Sequence, residues 1–76
     1  MEKTSQYDIS KDVFIRHEKA YKAILDPRWF EMLRLRALED MSYVSIAKLY
    51  GLSTGRIRQI CANAVDKLQK ARYETG

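Results

Sequence analysis

A chain of 76 residues, 46% apolar and 32% charged, has the composition of one folded domain with one hydrophobic core, not of a disordered tail. A single cysteine excludes an internal disulfide and a cysteine-based metal cluster, so the core must hold without a staple and is expected to be only marginally stable. No apolar run approaches membrane-spanning length and residues 1–10 carry charge where a signal peptide needs an apolar stretch, so the expectation is a cytoplasmic protein without a membrane role. Fourteen Lys and Arg against ten Asp and Glu leave a net charge of +4, which favours a polyanionic partner such as DNA without proving one.

One proline and three glycines, with no useful alternating pattern, point to helices throughout. The predicted fold is all-α: a four-helix domain, residues 10–72, with a C-terminal helix-turn-helix and an extra N-terminal helix. Residues 1–9 and 73–76 are expected to be flexible ends. Ser10 is placed to cap the first helix. Phe14, His17, Tyr21, Ile24 and Leu25 then fall on one stripe, with Val13 and Ala20 beside it and Arg16, Lys19 and Ala23 opposite. Asp26 and Pro27 end this helix and begin the next, with Asp26 as cap and Pro27 at the first helical position. The second helix, about residues 27–39, carries Trp29, Phe30, Met32, Leu33, Leu35, Ala37 and Leu38 nearly all round. A helix of that kind packs on more than one side, which makes it the central strut.

The most informative stretch is 43–72. With Gly51 as the turn, in the left-handed conformation that ends a helix, the neighbouring residues meet the demands of a helix-turn-helix. Ala47 lies four residues earlier, where a larger side chain would hold the helices apart. Ile46 and Tyr50 face the core from the first helix, Leu52 plugs the turn, and Ile57 and Ile60 face it from the second. Ser42 and Ser53 are placed as the two caps. On the last helix Ile57, Cys61, Ala64, Leu68 and Ala71 form an inward seam. Counting about 100° per residue from Ile57 turns Gly55, Gln59, Ala62 and Asp66 outward, with Arg56 and Asn63 on one flank and Arg58 on the other.

That outward group sits in the N-terminal half of the helix, the part that enters a major groove in such proteins. Arginine suits guanine, glutamine suits adenine, and alanine can touch a thymine methyl. Gly55 reads no base but admits the backbone closely. For Arg56 and Arg58 the reading is open between base contact, phosphate contact and a solvated basic face. Lys48, Ser42 and Tyr43 are candidate phosphate contacts.

Several runs resemble a known family. They are Pro27-Arg28 with Leu33-Arg34-Leu35-Arg36, Ser42 with Ile46-Ala47, Tyr50-Gly51-Leu52-Ser53, Arg56-Ile57-Arg58-Gln59-Ile60, and Ala64 with Lys67-Leu68. Together these resemble the C-terminal promoter-recognition domain, region 4, of bacterial sigma factors, over about residues 27–70. The resemblance implies a recognition helix in the major groove of the upstream promoter element and a second surface for the flap of RNA polymerase. Arg56, Arg58 and Gln59 stand at matching positions. Thr54 and Gly55 replace the family's usual Arg-Glu pair, and Cys61 replaces an acidic residue, so the usual promoter sequence is not implied. With no room for a domain that melts start-site DNA, the expectation is a stand-alone small protein, of phage or mobile-element type, rather than a complete sigma factor.

The candidate DNA-binding set is therefore Ser42, Tyr43, Lys48, Thr54, Gly55, Arg56, Arg58, Gln59, Ala62 and Asn63. No catalytic, cofactor or metal site is expected: His17 and Cys61 are one each, both on apolar faces, and read as a packed imidazole and a buried thiol. Trp29 and Phe30 read as core. Arg28, Arg34 and Arg36 are open between the DNA backbone, a protein partner and solubility. Two functions fit. One is a transcription regulator that reads duplex DNA, with two copies on a spaced site for tight binding and Ile15, Lys19 or Lys22 near the dimer partner. The other is a module that binds RNA polymerase in place of the sigma domain without reading DNA.

Overall fold

In a computed structural model of the chain, which describes residues 9–72, five α-helices and no strands are found among the described residues. They are α1 (Lys11–Arg16), α2 (Glu18–Ile24), α3 (Pro27–Ala37), α4 (Tyr43–Tyr50) and α5 (Thr54–Lys70). The expected flexible segments fall almost wholly outside the described residues. The exception is Ile9, which is buried with the core instead of belonging to a free end.

Ser10 caps α1 as its sequence suggests, its hydroxyl accepting from the Val13 amide at 3.3 Å. The predicted single N-terminal helix is divided, however, by His17, whose φ of −115° and ψ of 19° leave the helical region. No glycine or proline marks that bend. Its cause is tertiary: beyond each other, α1 packs only against α3, whereas α2 reaches both α3 and α5, so the two segments need different directions. Backbone bonds still flank the break, from His17 N to Val13 O at 3.2 Å and from Tyr21 N to His17 O at 2.9 Å. Phe14 and Tyr21, on either side of it, are both fully enclosed and meet edge to face, with centroids 5.4 Å apart.

Pro27 opens α3 by fixing the first helical φ, and Asp26 before it is held extended, as a residue preceding proline must be. Asp26 does occupy the cap position, but its side chain makes no capping hydrogen bond; only its carbonyl serves, accepting from the Phe30 amide at 2.8 Å. As expected of the central strut, α3 touches all four other helices. Phe30, Met32, Leu33 and Leu35 are buried on it, with Trp29, Ala37 and Leu38 packed against the core at its edges. Its arginines do not all point to solvent. Arg34 forks onto Glu31, at 2.6 and 3.2 Å, and lies 3.5 Å from Glu39. The hydrogen bond from Arg34 holds the Glu31 carboxyl below the ordinary carboxylate range. A short link with Asp40 at φ 56°, a conformation aspartate tolerates better than most residues, leads into α4.

Candidate nucleic-acid interface

The pair α4 and α5 is built from local signals that agree with one another. Ser42 caps α4 by accepting from the Ser45 amide at 3.1 Å, and Ser53 caps α5 by accepting from the Arg56 amide at 3.1 Å. Between them Gly51 adopts φ 69° and ψ 33°, and the chain closes with two reversed bonds: Leu52 N to Ala47 O at 2.9 Å and Gly51 N to Lys48 O at 3.4 Å. This is a Schellman ending, which satisfies the last carbonyls of α4 and turns the chain directly into α5. Ile46 and Ala47 are buried where α4 meets α5, while Tyr50 and Leu52 pack against the core at the turn. Each residue assigned to the turn geometry from sequence is therefore where that geometry requires it.

The two glycines of this region answer oppositely to substitution. A Cβ at Gly51 meets no atom within 4 Å, so Gly51→Ala carries only the backbone cost of a left-handed L-residue, about 1–2 kcal/mol of stability. At Gly55, in the first turn of α5, a Cβ also meets nothing, and its φ is an ordinary one. There Gly55→Ala is expected to stabilise by about 0.4–1 kcal/mol through the lower entropy of the unfolded chain. Thermal melts followed by circular dichroism check both, with shifts of roughly 4–8 °C per kcal/mol. Equal signs for the two variants would sink this account.

α5 touches α2, α3 and α4, and its buried surface is accordingly wider than a single seam. Ile57, Ile60, Cys61, Ala64 and Leu68 are buried as expected, and Val65 broadens the face. Ala71 is the correction: it is exposed, at the end of the helix, because the core closes one turn earlier at Leu68. Opposite this face stand Gly55, Arg56, Arg58, Gln59, Asn63 and Asp66, all exposed, with Thr54 and Ala62 half-buried at its margins. The Gln59 side-chain nitrogen Nε2 donates to the Asn63 side-chain oxygen Oδ1 at 3.1 Å, which aligns two adjacent polar side chains one turn apart.

On α4, Lys48 and Ser42 are exposed and Tyr43 is half-buried. Ser42 is already engaged as a cap and also contacts the Ser45 hydroxyl at 3.1 Å. Lys48 lies in the last turn, so it does not cluster with Ser42 and Tyr43 at the first. Tyr43 is brought to Arg58, whose guanidinium carbon lies 5.5 Å from the ring centroid. Arg36 approaches the same ring at 4.8 Å, and Arg28 lies 6.0 Å from the Tyr50 ring. This role of Arg36 is not legible in the sequence, because residues 36, 43 and 58 meet only through three packed helices.

From Met41 to Val65 the chain contains no carboxylate side chain, and its only charges are Lys48, Arg56 and Arg58. The described surface opposite the α5 core face is thus cationic and polar through its N-terminal half. None of the described helices is long and apolar enough to cross a membrane. No group of three or more His, Cys, Asp or Glu among the described residues is placed to hold a metal ion.

Two capped helices joined through a left-handed glycine, braced by a third and presenting a cationic outer face, define a helix-turn-helix protein. Residues 23–70, more than half of the chain, match the family model described as sigma-70, region 4, and the chain belongs to that family of DNA-binding helix-turn-helix domains. No curated protein and no solved structure matches it.

Proposed function

We propose that this protein is a transcription regulator that docks the N-terminal half of α5 in the major groove of duplex DNA. The carrying observation is the outer face of α5. Arg56, Arg58, Gln59 and Asn63 are exposed together on a helix whose other side is locked into the core, so they form a rigid DNA-facing edge. Gln59 suits an adenine: with one amide hydrogen given to Asn63, it keeps the second hydrogen and its carbonyl oxygen for the base. Arg56 stands nearest the helix start for a base or phosphate, Ala62 offers a methyl, and Thr54 and Gly55 let the helix end approach closely. Lys48 and Ser42 are the proposed backbone contacts, with Tyr43 on the same side supporting Arg58, since the first helix of such a pair crosses the phosphates.

The test is fluorescence anisotropy with a labelled duplex carrying a sigma-type upstream promoter element, beside a scrambled duplex, at about 50 and 200 mM salt. Preference for the promoter duplex, weakening steeply with salt, supports groove reading of the family's own site. Equal, salt-sensitive binding to both supports DNA binding at a different target, as Thr54 and Gly55 in place of the usual reading pair would suggest. No binding to either at low salt defeats the proposal.

A second reading is docking on RNA polymerase without base reading. The observation in its favour is on α4, where Val44 and Leu49 are 51% and 63% exposed. Apolar side chains left in solvent are suited to a protein contact rather than to DNA.

A further inference from the structure

Arg58 does not stand alone on the outer face of α5. Its guanidinium lies over the ring of Tyr43, the first residue of α4, at 5.5 Å, within the roughly 6 Å reach of a cation–π contact. The ring is braced by α3: the Arg36 guanidinium lies 4.8 Å from its centroid, and Arg36 Nη1 donates to the Met41 carbonyl at 3.1 Å. An arginine free on a helix surface samples many rotamers and must be ordered on binding. One already resting on a braced ring has lost part of that freedom beforehand. The direction of the contact also matters. It draws Arg58 sideways toward α4, away from the exposed line of Gly55, Gln59 and Asn63.

On the reading of α5 as the groove helix, we infer that Tyr43 is a positioning residue whose ring, not its hydroxyl, holds Arg58 on the α4 flank, where its guanidinium meets a backbone phosphate instead of a base edge. In a helix-turn-helix the first helix lies along the phosphates, so a side chain drawn toward its N-terminal turn is on the backbone side of the interface. Arg58 then contributes affinity that is independent of sequence, and discrimination is left to Gln59 and its neighbours.

The test uses anisotropy titrations on the promoter-type and scrambled duplexes, at two salt concentrations. The proteins are the wild type, Tyr43→Phe, Tyr43→Leu, Arg58→Ala and the Tyr43→Leu/Arg58→Ala double variant, each with a melting curve to confirm folding. Tyr43→Phe keeps the ring and is expected to bind within about twofold of the wild type. Tyr43→Leu should weaken both duplexes alike by about two- to fivefold, the equilibrium equivalent of an exposed cation–π contact. Arg58→Ala should lower the salt slope by about one on both duplexes, and Tyr43→Leu should add nothing in that background. Equal losses in Tyr43→Phe and Tyr43→Leu would assign the contact to the hydroxyl and overturn the inference. So would a Tyr43→Leu penalty that persists without Arg58, which marks general packing, or an Arg58→Ala variant that loses discrimination with an unchanged slope. Failure of the wild type to bind either duplex overturns the DNA reading itself, whereas wild-type binding with Tyr43→Leu unaffected overturns this inference alone.

Discussion

Phe14→Ala is expected to unfold much of this protein at room temperature, although Phe14 lies outside the stretch that matches the family. Its side chain is fully enclosed, with ring centroids 5.4 Å from Tyr21 and 5.5 Å from Phe30. Removing a buried phenyl group costs about 3–5 kcal/mol, through lost transfer free energy and the cavity left behind. A core of this size without an internal disulfide rarely gives more than about 3–5 kcal/mol of net stability, so the loss is comparable with the whole. The neighbouring Ile15 supplies the control. It is 55% exposed, and Ile15→Ala should change stability by no more than about 0.5 kcal/mol. Urea titration followed by circular dichroism separates the cases. A Phe14→Ala loss below about 1 kcal/mol, with α3 to α5 still melting cooperatively, would mean that α1 is an accessory rather than part of the core.

The second large effect is expected at the interface. Arg58→Ala with Gln59→Ala removes one proposed phosphate contact and one proposed bidentate base contact, and should weaken duplex binding on the order of a hundredfold, since a good base pairing alone is worth about 1–3 kcal/mol. Both residues are exposed, and alanine suits a helix at least as well as either, so the fold should be untouched or slightly more stable. That separation gives the experiment its force: a melting temperature held constant with binding lost assigns the residues to recognition. Binding unchanged at low salt would favour polymerase docking, and the partner test would then move to Val44→Ser and Leu49→Ser on the exposed side of α4. Those two variants should leave DNA affinity alone while weakening association with polymerase.

Much of this architecture is legible in the chain because its signals are local. Ser42, Gly51 and Ser53 act on amides and carbonyls within a few residues, so the limits of α4 and the start of α5 follow from hydrogen-bonding capacity and from the one residue type at ease at φ 69°. Helical periodicity likewise separates Ile57, Cys61, Ala64 and Leu68 from Arg56, Gln59 and Asn63 without any knowledge of the neighbours. The proposed DNA-facing edge is therefore legible as a face of the helix.

Other features depend on where the helices lie relative to one another. The bend at His17 exists because α2 must reach α5 while α1 stays on α3, and nothing in residues 14–20 encodes that divergence. Ala71 continues the apolar seam perfectly well by spacing, yet it is exposed because the core ends before it. Asp26 is a good capping residue in the right place whose side chain makes no cap. The convergence of Arg36 and Arg58 on Tyr43 joins residues from three helices, and side-chain spacing along one chain holds no information about it. Backbone hydrogen bonding and periodicity act over one or two turns and can be read residue by residue, whereas the direction of a helix and the end of a core follow from packing, which is a property of all five helices at once.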